Sequence, residues 1–230
     1  PDGERFFTYY RTGDAAATME PADLSADYVA RARLAHTSGI SQAISASSRA
    51  AVRRLAELCG ELGVKLSYDP NFRPKLWSVS QARCELEWIL PRVSIALPSM
   101  NTDEALLWST KAPEKVIERC LEAGCEVVAV KLGSDGCLVA SAVEQWRVQA
   151  VRRFPVRDTT GAGDAFDGAL LSALLCGASL RDAARLGNLV AAMKCSGRGA
   201  LGNLPSADEV TRAWPEAYDE PLPKGLIGQS

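Results

Sequence analysis

The chain contains a single histidine, His36, and its seven cysteines (59, 84, 120, 125, 137, 176 and 195) include no C-x-x-C pair. Catalysis built on histidine has one candidate at most, and the setting "RLAHTSGI" suits a hydrogen-bonded residue at a strand end better than a base. The scattered thiols exclude a metal-thiolate site or disulfide scaffold and read as small, reduced core residues. Long apolar runs are also missing. None approaches the roughly 18 residues of a membrane-spanning helix, and the opening "PDGERFFTYYR" lacks the basic start and apolar middle of a signal peptide. A cytoplasmic protein is the expectation. Neither sign of charge dominates: 26 Lys and Arg stand against 28 Asp and Glu, a formal net charge of -2. That excludes the electrostatic footprint of a nucleic-acid or anionic-membrane binder and leaves a small molecule as the expected partner. A homo-oligomer is left open.

What is present is a regular alternation. β-favouring runs at 33–39 ("RLAHTSG"), 64–69 ("VKLSYD"), 93–99 ("VSIALPS") and 126–133 ("EVVAVKLG") recur about every thirty residues, with helical patterns between them. The clearest helix, 47–63, starts at a serine, places Val52, Leu55, Leu58 and Leu62 on one face and stops at Gly63. Strands alternating with helices make βαβ units, so the spacing predicts one α/β domain of 230 residues. Its mostly parallel sheet is covered on both faces, with ligands beyond the carboxyl ends of the strands. "SYDPNFR", "ALPSMN" and "VKLGSDG" all fall at those ends. The pattern changes at "KLGSDGCLVA", which reads as a hairpin, and "EQWRVQAV" reads as a further strand. Two helices follow at 165–176 and 180–195, and residues 215–230 read as a loose tail.

Between the last strand and those helices lies "DTTGAGDAFDGALL", residues 158–171. The spacing is wrong for a dinucleotide fingerprint, because Phe166 stands where the third glycine belongs, and no glycine precedes Lys-Ser or Lys-Thr as a P-loop requires. What remains is a loop exposing the N–H groups of Gly161, Ala162 and Gly163 at the positive end of a helix, suited to an oxyanion. Asp164 falls in the first turn. A lone Asp there is explained by the helix dipole alone. Beside a bound phosphate, however, a carboxylate is repelled, and its place makes better sense if it takes a proton from a hydroxyl attacking that phosphate.

These residues carry a resemblance. "DTTGAGDAFDGALL" resembles the carboxy-terminal signature of the ribokinase-like (PfkB) carbohydrate kinases. "ERFFTYYRTGDAAA" and "HTSGISQAIS" are similar to 2-keto-3-deoxygluconate kinases in particular, and "LSYDPNFRPKLW" to both those enzymes and fructokinases. The likeness runs over residues 4–205. It implies a ribokinase-like fold, ATP and Mg2+ as co-substrate and cofactor, Asp164 as general base, and Gly161, Ala162 and Gly163 as anion hole. It places Lys131, Gly133, Ser134, Gly136 and Asn188 at the nucleotide. "NTDE" (101–104) fits the N-x-x-E pattern that organises magnesium, Glu104 more firmly than Asn101 because Ser99 offers a second register for the Asn. Tyr9, Arg11, Asn71 and Arg73 match positions that contact the sugar acid, whose carboxylate suits the planar fork of arginine. The implied reaction is phosphorylation of 2-keto-3-deoxygluconate to its 6-phosphate. A fructokinase or other sugar kinase of the same fold is the alternative, and a non-catalytic sugar sensor a third reading. The family's Gly-Gly segment has no counterpart here, and "RFFTYYR" reads as a strand with no partner before it. The resemblance thus implies a chain lacking its amino-terminal portion, with residues 1–12 a remnant of the lid and substrate region.

Overall fold

The computed structural model describes residues 13–100 and 102–227, so Tyr9, Arg11 and Asn101 lie outside the described residues. Three short helices, α1 (Ala15–Thr18), α2 (Ala26–Val29) and α3 (Gly39–Ala43), surround the first strand, β1 (Leu34–Ser38). Then α4 (Ala46–Leu62) leads to β2 (Lys65–Asp69), and α5 (Val79–Ile89) to β3 (Ile95–Ala96). Helices α6 (Thr102–Trp108) and α7 (Pro113–Glu122) precede β4 (Val127–Lys131), and a hairpin adds β5 (Cys137–Ser141) and β6 (Gln145–Val148). Helices α8 (Ala162–Leu175), α9 (Leu180–Cys195) and α10 (Ala207–Tyr218) complete the chain.

The sheet order is β1-β2-β3-β4-β5-β6, parallel from β1 to β4 and antiparallel from β4 to β6. Side chains of a strand alternate between faces, and here each face meets its own helical layer. Val128 and Val130 of β4 and Leu138 and Ala140 of β5 pack with α4, α5 and α7 through Val52, Leu58, Leu86, Ile89 and Val116. Ala129 and Val139 face the other way, into Phe166, Leu170, Leu189 and Trp214 of α8, α9 and α10. The double cover explains why the strands read as continuous apolar runs rather than as alternation.

Local signals act as expected, with shifts. Helix α4 is capped two residues before the expected Ser47, by Ser45, whose side chain accepts from the Ser48 amide at 2.9 Å. It ends at Gly63, where φ is 67°. Its buried face runs through Ala51, Val52, Ala56, Leu58 and Cys59, whereas Leu62 is exposed. His36 is hydrogen-bonded, Nδ1 lying 2.9 Å from Ser67 Oγ, but in the middle of β1 and not at its end. Of the loose tail expected over residues 215–230, the described part, 215–227, is packed against the domain, and 228–230 lie outside the described residues. Helix α10 runs to Tyr218, Arg185 of α9 stacks on Tyr218 and Trp214 at 4.1 and 5.2 Å, and Leu226 is buried in the second core cluster. Cation–π stacking and burial of these large rings hold the segment, which a reading of its Pro and Gly content alone does not foresee.

Candidate active site

Loops at the carboxyl ends of β2, β3 and β4 converge with the loop before α8 around one buried ammonium. Lys131 ends β4 and is 8% exposed. Its Nζ donates to Asp69 Oδ2 at 2.9 Å and to both oxygens of Asp167, at 2.9 and 2.8 Å. Burial by itself lowers the Lys131 pKa, but the charges of Asp167 and Asp69 outweigh it and hold the group above its ordinary value. Burial raises the Asp167 carboxyl, yet both its oxygens receive the ammonium, which is the geometry of an ionised acid. Expected at the nucleotide, Lys131 has its ammonium on carboxylates: its three donors meet Asp69 and both oxygens of Asp167.

Asp69 also shapes the loop that carries the sugar-acid candidates. Its Oδ1 accepts the Asn71 amide at 3.0 Å, holding Asn71 at φ 37° in the left-handed region that Asn tolerates. Arg73 follows, partly exposed, its guanidinium touching the Phe72 carbonyl at 3.4 Å. The loop is braced from the start of α3: a Cβ on Gly39 would fall 2.0 Å from the Pro70 carbonyl oxygen, so only glycine permits that approach.

Glu104, in the first turn of α6, is sealed from solvent, and its Oε1 accepts the Ser99 amide at 2.7 Å. Burial pushes its carboxyl up to about 8, with the charge of Asp69 adding to the effect and that of Lys131 opposing it. Glu104 is then mostly protonated at neutral pH, and its titration must appear in stability. With the folded pKa raised from 4.5 to about 8, its favourable contribution is complete below pH 4.5 and is lost as pH rises through 8. Glu104→Gln removes that titration. Across pH 5 to 9 the wild-type unfolding free energy should fall relative to the variant by a few kcal/mol, on the order of one pKa unit's 1.4 kcal/mol per unit shifted. Denaturant unfolding at several pH values checks this, and parallel curves for the two proteins would contradict it.

At the start of α8 the cap residue is Gly161, at φ 77°, which supplies no side-chain acceptor. The Ala162 amide closes a turn onto Thr159 O at 3.1 Å, but among the described residues the amides of Gly161, Gly163 and Asp164 meet no acceptor in the protein. Two of the three expected anion-hole amides are thus open, with that of Asp164 as an addition. Asp164 is exposed beside them. Asp158 anchors the loop: its Oδ1 accepts the Thr160 amide and its Oδ2 the Gly199 amide, each at 2.8 Å. Bonds from Thr160, then Gly199, hold the Asp158 carboxyl well below its ordinary range.

In the hairpin after β4, Gly133 (φ 61°) and exposed Ser134 form the turn. Gly136 is tightly confined, since a Cβ there would fall 2.0 Å from the Val148 carbonyl oxygen. The Asn188 amide group donates to the Val148 and Gln149 carbonyls, both at 3.1 Å, so its two protons brace the segment leaving β6. The structure thus links the Asn71 loop, Lys131 and the start of α8 through Asp69 and Asp167, with Glu104 buried nearby and Arg73 two residues beyond Asn71 on the same loop. Gly136 and Asn188 are linked instead through the end of β6. The residues that sequence reasoning missed are Asp69, Asp158 and Asp167. A signal existed for Asp167, which stands three residues after Asp164 and shares its side of the helix. Another existed for Asp69 and Asp158, each two residues before a loop amide that it caps.

A mostly parallel sheet with an open-amide helix terminus at its ligand end defines the class, an α/β fold built for a small anionic ligand. The chain belongs to the pfkB family carbohydrate kinases, whose pattern matches residues 1–207. It is 37% identical over 207 residues to a 2-dehydro-3-deoxygluconokinase of Escherichia coli (strain K12), covering 86% of this chain and 67% of that one. It is 34% identical over 224 residues to Fructokinase-1 of Oryza sativa subsp. japonica, covering 92% and 67%. Among solved structures, a putative Ribokinase II from E. coli in complex with ATP and Mg+2 superposes with a TM-score of 0.84 at 26% identity, covering 93% of this chain and 68% of that one. The chain thus spans about two thirds of the length of the curated relatives it matches.

Proposed function

We propose that the protein transfers the γ-phosphoryl group of ATP to a hydroxyl of a sugar acid, most specifically the 6-hydroxyl of 2-keto-3-deoxygluconate. The observation that carries this reading is the α8 terminus, where open amides of Gly161, Gly163 and Asp164 stand beside an exposed carboxylate. The amides suit charge on the transferring group, and the Asp164 carboxylate suits the proton of the attacking hydroxyl. In this reading the sugar oxygen forms the new P–O bond, the bond to ADP breaks, and the hydroxyl proton passes to Asp164. Arg73 and Asn71, with Arg11 and Tyr9, hold the sugar acid. Gly133, Ser134 and Gly136 border the nucleotide, and Asn188 supports that border from behind.

Magnesium fits less directly. Among the described residues no three acidic, histidine or cysteine side chains gather as a metal site, and Glu104 is fully buried with one oxygen on the Ser99 amide. Magnesium would supply charge neutralisation on the phosphates when bound, and Glu104, holding the Ser99 amide, would bear on it indirectly through that loop.

Two things support this substrate reading: the relative at 37% identity is a 2-dehydro-3-deoxygluconokinase, and an arginine fork suits a carboxylate. Fructokinase is the second reading, favoured by the rice relative at 34%. Release of ADP, measured with 2-keto-3-deoxygluconate, fructose and other hexoses, separates the two. Turnover with the sugar acid should exceed that with fructose. Equal turnover would refute the substrate assignment, and sugar binding without ADP release would favour a sensor.

A further inference from the structure

We infer that Lys131 is a positioning residue, whose ammonium ties the Asp69–Arg73 loop to helix α8 and takes no direct part in holding the nucleotide. The inference rests on the proposed function for the roles of the two ends it joins. The tie itself is geometric. Strands β2 and β4 lie on either side of β3, about 9 to 10 Å apart at ordinary sheet spacing. Lys131, at the end of β4, spans that gap to Asp69 at the end of β2. It meets Asp167 of α8 with the rest of its donors. The helix terminus passes directly over it, since a Cβ on Gly163 would stand 3.9 Å from Lys131 Nζ.

Each carboxylate passes the constraint onward. Asp69 uses its second oxygen to hold the Asn71 amide, two residues before Arg73. Asp167 lies on the turn of α8 that follows Asp164. One ammonium therefore fixes the distance between the groups proposed to grip the acceptor and the group proposed to deprotonate it. Loss of the ammonium would leave the Asp69 and Asp167 carboxyls buried beside each other without their shared donor. A strong geometric constraint is worth having here, because misplacing reacting groups by an ångström costs about 10²-fold in rate.

Asp167→Asn, Asp69→Asn and Lys131→Met, read by hydrogen exchange and ATP calorimetry, test the inference. In Asp167→Asn, exchange of the Asn71 amide, which lies at the opposite end of the tie, should accelerate at least about threefold, and the ATP dissociation constant should stay within about twofold in all three variants. Turnover of the acceptor that the parent uses best should fall about tenfold or more, and the double variant Asp69→Asn/Asp167→Asn should lose less than the product of the single losses. An unchanged Asn71 exchange rate, or ATP affinity weakened tenfold in Lys131→Met, would overturn it. Should Lys131→Met not fold, Asp167→Asn decides the second point: a nucleotide-binding lysine freed from one carboxylate would tighten ATP binding, whereas a positioning residue leaves it level. Exchange and calorimetry need no turnover, so a protein that phosphorylates no sugar acid would refute the proposed function and still leave this coupling decided.

Discussion

Asp164→Asn should lower kcat by about 10² to 10⁴, equivalent to roughly 3 to 5 kcal/mol of barrier. Asn keeps the size of the side chain but cannot accept the hydroxyl proton. ATP affinity should stay level or rise, because removing the carboxylate removes its repulsion of the phosphates. Stability should change little: an exposed acid in the first turn of a helix is worth about 0.3 to 1 kcal/mol, a shift of a few degrees at most in a domain this size. An Asp that served only the helix dipole gives the opposite pattern, a lower melting temperature with near-normal kcat. Three measurements on one variant therefore decide the role, and a kcat within threefold of the parent would end the general-base assignment.

The second large effect is expected at Arg73. Its guanidinium lies at the rim of the loop held by Asp69, partly exposed, and among the described residues no carboxylate reaches it as an ion-pair partner. A bound carboxylate would provide one. Charge-assisted hydrogen bonds contribute about 1.5 to 3 kcal/mol, so Arg73→Leu should lower kcat/KM for the sugar acid roughly 10- to 150-fold. The KM for ATP should be unchanged, and any activity on fructose should be nearly so, because a neutral hexose has no carboxylate to lose. A variant whose sugar-acid and fructose activities decline together would show that Arg73 shapes the loop and does not select the acid.

The architecture was largely legible because its rule is local. Each βα unit announces itself through an apolar run, a nearby serine or a closing glycine, as at Gly63, and the hairpin around Gly133 to Gly136 is written in turn residues. The α8 loop was legible for the same reason, since glycines before an amphipathic helix have few uses. What escaped was set by distance in sequence. Lys131 meets partners 62 and 36 residues away, and nothing in "VKLGSDG" indicates that its ammonium turns toward Asp69 and Asp167. The docked carboxyl end escaped likewise: "PLPKGLIGQS" reads as irregular, but Leu226 is 1% exposed because Trp214 and its neighbours offer it an apolar seat. Composition describes a segment, not the surface waiting for it.

The strand order has a consequence for how the molecule comes to exist. Among the described residues the six strands lie side by side in the order of synthesis, so each strand from β2 to β6 finds its described neighbour already made. Such vectorial growth suits folding on the ribosome and keeps loop-closure costs small at each step. Only the second helical layer arrives late. Until α8 and α9 emerge, the faces of Ala129 and Val139 stand uncovered, and Lys131 has Asp69 alone as its counter-ion. Arrival of Asp167 thus marks the moment when a half-clad nascent sheet becomes an assembled centre, and the same helix that shields the core delivers the acid proposed to work there.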